Sequence, residues 1–146
     1  MDHLDTVFPP DLNPTAHKSL VIIDDELSYL DYLGDLMSEH LACPVHTFSR
    51  PGAALEAMRR LNVGAVATDY YMPGMNGLEL VSKARSILSG VPFILITGHG
   101  AELVARGFDD LPEVRAVLNK PFTWRTLADE VIRHWPIQPA PSIRDA

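Results

Sequence analysis

Three short apolar runs recur along the chain with amphipathic stretches between them: Leu20-Val21-Ile22-Ile23, Ala65-Val66-Ala67-Thr68 and Phe93-Ile94-Leu95-Ile96. A run without polar alternation offers no face to water, so each is expected as a strand buried on both sides. The intervening stretches carry the helical period. From Glu26 to Leu41, Leu30, Leu33, Met37 and Leu41 recur at steps of three and four among acidic and polar residues. Pro51 opens a second helix with Leu55, Met58 and Leu61 inside. Leu78, Val81, Ala84 and Leu88 form a third stripe. Thr123 is placed to cap a last helix whose inner face is Trp124, Leu127, Ala128, Val131, Ile132 and Trp135. Val45 to Phe48 and Ala116-Val117-Leu118 are short or partly polar and read as edge strands. Between Ala101 and Glu113 the pattern is less regular, because Gly107 and Pro112 interrupt any helix there.

Five strands alternating with about five helices imply an α/β fold, a parallel sheet covered on both faces by right-handed crossovers. Edge-like strands in second and last place fit a flavodoxin-like, doubly wound sheet of order 2-1-3-4-5. At 146 residues, one domain is expected over residues 18–135. The proline-bearing ends, residues 1–17 and 136–146, then read as tails. With 47% hydrophobic and 21% charged residues, a disordered chain is excluded. A net charge of −7 disfavours phosphate backbones and anionic membranes, so no direct nucleic-acid or membrane partner is expected. No apolar run reaches the ~18 residues of a membrane span. The opening MDHLDTVFPPDLNP lacks the order of a signal peptide. The single cysteine, Cys43, cannot make an internal disulfide, and a cytoplasmic location is expected.

In the order 2-1-3-4-5, ligands sit at the carboxyl ends of the first and third strands. Asp24 and Asp25 directly follow the first strand and Asp69 directly follows the third. Three converging carboxylates repel one another unless a cation neutralises them, and a hard divalent ion, magnesium first or manganese in its place, suits oxygen ligands. The alternative is that these carboxylates only cap the helices that follow them. Thr97 ends the fourth strand and Lys120 follows the fifth; a hydroxyl and an ammonium there can donate to phosphoryl oxygens. The set describes a phosphoryl-transfer site, with Asp69 the candidate nucleophile and Asp24 and Asp25 metal holders.

These residues resemble the receiver domains of bacterial two-component response regulators over about residues 18–135. The carriers are Ile22-Ile23-Asp24-Asp25-Glu26, the stretch Asp69-Tyr70-Tyr71-Met72-Pro73-Gly74-Met75-Asn76-Gly77, Ile96-Thr97-Gly98 and Lys120-Pro121-Phe122. The resemblance implies that Asp69 accepts a phosphoryl group from a sensor histidine kinase or a histidine phosphotransfer protein. It implies a magnesium ion on Asp25, Asp69 and the backbone carbonyl of Tyr71, with Asp24 acting through water. Thr97 and Lys120 would contact the phosphoryl oxygens, Thr97 also as the residue that moves on activation, and Gly98 would leave access open. Tyr71 and His99, two residues beyond Asp69 and Thr97, are placed to control water access; the alternative is that both are solvated loop residues.

Three departures shape the expected function. Val117 stands where the family often has an aromatic switch residue, the interrupted segment after Thr97 alters the common output surface, and no second domain is seen after residue 135. The expectation is a single-domain switch that signals by contact with a downstream protein, rather than an enzyme acting on an external substrate. A phosphorelay intermediate or a phosphate sink is the alternative. A small aspartate-dependent phosphatase is disfavoured, because Tyr71 occupies the place of its second aspartate. Apolar side chains in both tails suggest a homodimer in which a tail packs on a neighbouring subunit, against the alternative that the tails lie on their own domain.

Overall fold

In the computed structural model, which describes residues 5–7, 17–98 and 111–144, successive residues of single strands feed two separate cores. Strand β2 (Ser19–Ile23) sends Val21 and Ile23 to one face and Leu20 and Ile22 to the other, and every residue in it is buried. The same holds for β4 (Val63–Asp69) and β5 (Phe93–Thr97). This is the burial that runs without alternation predict. Flanking them are β1 (Asp5–Val7), β3 (Val45–Phe48) and β6 (Val114–Asn119). The described helices are α1 (Leu27–His40), α2 (Pro51–Met58), α3 (Gly77–Ala84) and α4 (Trp124–His134).

The sheet order is β1-β3-β2-β4-β5-β6, with β3, β2, β4, β5 and β6 mutually parallel. The five parallel strands therefore lie in the doubly wound order 2-1-3-4-5. On one face α2 and α3 contribute Ala54, Met58, Leu80 and Val81 to a core with Val66, Phe93 and Leu95. On the other, α1 and α4 contribute Leu30, Leu33, Met37, Leu127 and Val131 against Ala65, Ala67, Ile94 and Ile96. Each fully buried Leu or Ile in these layers contributes about 1.5–3 kcal/mol.

Several expectations need correction. Val45–Phe48 is not the sheet edge: β1 pairs with it antiparallel, Val7 opposite Val45 and Asp5 opposite Thr47, so part of the expected amino-terminal tail is a strand. The third helix ends at Ala84, and Leu88 follows in a turn with its N–H donating to the Ala84 carbonyl at 2.8 Å. The carboxyl-terminal tail follows the alternative weighed for it and lies on its own domain, where Ile143 bridges Leu41 and Ala42 N–H donates to the Ser142 carbonyl at 2.9 Å. Gly107, and the rest of the irregular segment up to residue 110, lie outside the described residues.

Candidate functional site

Register brings the site together. Ile23 pairs with Thr68, Asp69 with Ile96 and Thr97 with Asn119, so the residues at or just beyond these positions, Asp24, Asp69, Thr97 and Lys120, share the carboxyl edge of the sheet. Asp24 is anchored at both ends: its N–H donates to the Phe48 carbonyl at 3.1 Å and its Oδ1 accepts from Glu26 N–H at 2.9 Å, a turn of the kind aspartate makes with its own backbone. Helix capping is done elsewhere. Glu26 caps α1 by accepting from Ser28 and Tyr29 N–H, and Asn76 caps α3 in a reciprocal capping box with Glu79. Neither Asp25 nor Asp69 caps a helix.

Asp24, Asp25 and Asp69 each bring a carboxylate oxygen within 4.8 Å of the others. Asp24 and Asp69 are buried and Asp25 is exposed, so the cluster opens to solvent on one side. The Lys120 ammonium lies 3.4 Å from Asp24 Oδ2 and 3.4 Å from Asp69 Oδ1, placed by a Lys120 N–H that donates to the Thr97 carbonyl at 2.8 Å. Burial and the neighbouring Asp24 charge raise the Asp69 carboxyl to about 6, against the pull of Lys120. Three carboxylates and one ammonium carry a formal charge of −2, and their oxygen donors fit a hard divalent cation.

Thr97 is fully buried at the end of β5, and Gly98 beside it is exposed, with none of the described residues within 4 Å of where a Cβ would stand. Tyr71, two residues beyond Asp69, is exposed, with the Tyr70 ring edge-on to its own at 4.6 Å. The chain leaves Asp69 through a turn in which Gly74 has φ of 81°, a conformation that favours glycine. It returns at Gly77, where a Cβ would come within 3.0 Å of the Asp69 carbonyl. His99 lies outside the described residues. Sequence reasoning missed Tyr29, whose ring centroid is 4.8 Å from the Lys120 ammonium. Its one sequence signal is its place in the first turn of the helix that leaves Asp24 and Asp25.

The response regulator receiver domain family matches residues 20–132, which takes in the four strand ends that carry the site. The chain belongs to this family. Among relatives of this receiver, the transcriptional regulatory protein FixJ of Bradyrhizobium diazoefficiens is 33% identical over 86 residues, covering 59% of this chain and 42% of FixJ. The response regulator receiver protein CpdR of Brucella abortus is 30% identical over 115 residues, covering 78% of this chain and 93% of CpdR. The receiver thus spans less than half the length of FixJ and nearly all of CpdR. In fold it is similar to the chemotaxis protein CheY4 of Vibrio cholerae, with a TM-score of 0.71 at 22% identity over 80% of this chain and 98% of that one. Among the described residues no helix is long and apolar enough to cross a membrane.

Proposed function

We propose that Asp69 accepts a phosphoryl group from a phosphohistidine of a sensor histidine kinase or histidine phosphotransfer protein, and that the receiver then signals by contact with a downstream protein. The observation that carries this reading is the Lys120 ammonium held 3.4 Å from both Asp24 and Asp69, within a cluster of three carboxylates. An Asp69 carboxylate oxygen forms the new bond to phosphorus while the phosphorus–nitrogen bond of the donor breaks, its electron pair returning to the imidazole. With its carboxyl raised only to about 6, Asp69 is mainly ionised at neutral pH, the form a nucleophile requires. Lys120 and Thr97 donate to the phosphoryl oxygens, and positioning supplies most of the rate.

Asp25, Asp69 and the Tyr71 backbone carbonyl are the residues that would hold magnesium, or manganese in its place, with Asp24 acting through water. When bound, such a cation neutralises charge shared between the carboxylates and the phosphoryl oxygens. Tyr71, exposed and two residues beyond Asp69, would obstruct an in-line water, while Gly98, exposed and without a side chain, would leave room for a donor to approach. That opening also suits a phosphorelay role, in which the group moves on to a second histidine. The receiver is a switch and not an enzyme for an external substrate, since Tyr71 stands where a phosphatase of this kind places its second carboxylate. The match along nearly the whole of CpdR supports action as a single domain, and a cytoplasmic location would suit such a contact with a kinase.

Incubation with purified histidine kinases and radiolabelled ATP tests the reading. The native receiver takes up label that alkali and hydroxylamine remove; Asp69→Asn and excess chelator each abolish it. Label that survives Asp69→Asn would reject Asp69 as the acceptor.

A further inference from the structure

Lys120 is held loosely by its carboxylates. Both ion pairs are 3.4 Å, longer than the ~2.7–2.9 Å of a tight charge-assisted hydrogen bond, so neither Asp24 nor Asp69 alone fixes the ammonium in one geometry. Its side chain is 33% exposed, and water competes for it. A flexible four-carbon stem in that position would have to surrender rotamer freedom at the moment of transfer. The ammonium also lies over the face of Tyr29, whose centroid at 4.8 Å is well inside the ~6 Å range of a cation–π contact. That ring is itself half-buried against the second core. Tyr29 N–H donates to the Glu26 cap at 2.8 Å, and Leu30 and Leu33 anchor the same helix in the core.

We propose that Tyr29 is the positioning residue for Lys120, its ring face seating the ammonium beside Asp69 so that the amine is already in place when a phosphoryl group arrives. Burial and the nearby Asp24 and Asp69 charges push the Tyr29 hydroxyl up to about 12, so the ring stays neutral at working pH and acts through its face. The lysine is left mobile enough to move from two carboxylates to a phosphoryl oxygen, and confined enough to stay within reach of it.

The proposal rests on the phosphoacceptor reading of Asp69, and the experiment separates the two. In the native full chain without phosphodonor, NMR should show Lys120 side-chain protons shifted upfield by the ring and close to the Tyr29 ring protons. Tyr29→Phe keeps that shift, whereas Tyr29→Leu loses it. With acetyl phosphate and magnesium, Tyr29→Leu should phosphorylate about fivefold more slowly, the equivalent of about 1 kcal/mol, while Tyr29→Phe stays within about twofold. Lys120 resonances that carry no ring shift in the native chain would remove the seat, as would a Phe variant as slow as the Leu variant. A native chain that takes no label while Lys120 remains ring-shifted would instead remove the phosphoacceptor reading, and the transfer role with it.

Discussion

Burial acts with opposite sign on Asp69 and His46. The Asp69 carboxyl rises from 3.8 to about 6, so between those values the folded state binds more protons than the unfolded one, and stability falls as pH rises through the window. The cost, fully present above about pH 6, is on the order of 3 kcal/mol. His46 is buried in the sheet with its Nε2 3.1 Å from Ser19 Oγ, and desolvation lowers it from 6.5 to about 4. Here the unfolded state binds more protons; the contribution is present above pH 6.5 and is lost as pH falls to about 4, again on the order of 3 kcal/mol. The two slopes oppose each other over the shared window. Urea unfolding in chelator should therefore show Asp69→Asn more stable than the native chain at pH 7 and steeply acid-sensitive between pH 6.5 and 4, where the native profile is flatter. A variant whose profile parallels the native one would contradict this pairing of effects.

Between elements, the tightest dependence joins the end of α4 to β4. Trp135 follows α4, and its indole lies so close to Gly64 that a Cβ there would sit 2.3 Å from the ring. Glycine in mid-strand has no side chain of its own to pack, and here it makes room for the aromatic that closes the second core. Gly64→Ala forces either the strand or the indole to move and should cost about 1–3 kcal/mol, read as a lower urea midpoint. Trp135→Leu leaves space for the added methyl, so the double variant should lose less than the sum of the two single changes. Strict additivity would mean that the indole does not limit Gly64.

Across the whole molecule, both ends of the chain close the same region, the junction of α1 with β3. Strand β1 covers β3 from one side, and residues 140–144 fold over the junction from the other, with Ala140 and Ile143 against the second core and Arg144 N–H donating to the His40 carbonyl at 2.6 Å. These contacts are with the chain's own domain, the alternative to a tail seated on a neighbouring subunit. Removing residues 136–146 should lower stability by about 1–3 kcal/mol, through lost burial of Ile143 and exposure of Leu41. Light scattering on the full chain and on residues 18–135 should give the same number of subunits at equal concentration. A full chain that is dimeric while the shortened one is monomeric would restore the tail-mediated dimer.

The sequence by itself determined the five parallel strands, their order among themselves and the convergence of Asp24, Asp25, Asp69, Thr97 and Lys120 at their carboxyl ends. Each depends on local period and on which residue ends a strand, and both are written in neighbouring positions. Even the Thr123 cap was legible, since Thr126 N–H donates to its Oγ1. What only the tertiary structure decided are contacts between residues far apart in the chain: the Tyr29 ring against Lys120, the Trp135 indole on Gly64, Asp5–Val7 on the edge of β3 and Ile143 beside Leu41. None has a local signature, because a three-residue strand carries too little period to read and an aromatic on a helix shows its face but not its partner. Those pairings follow from how two layers of helices pack on a twisted sheet, which no single stretch of sequence contains.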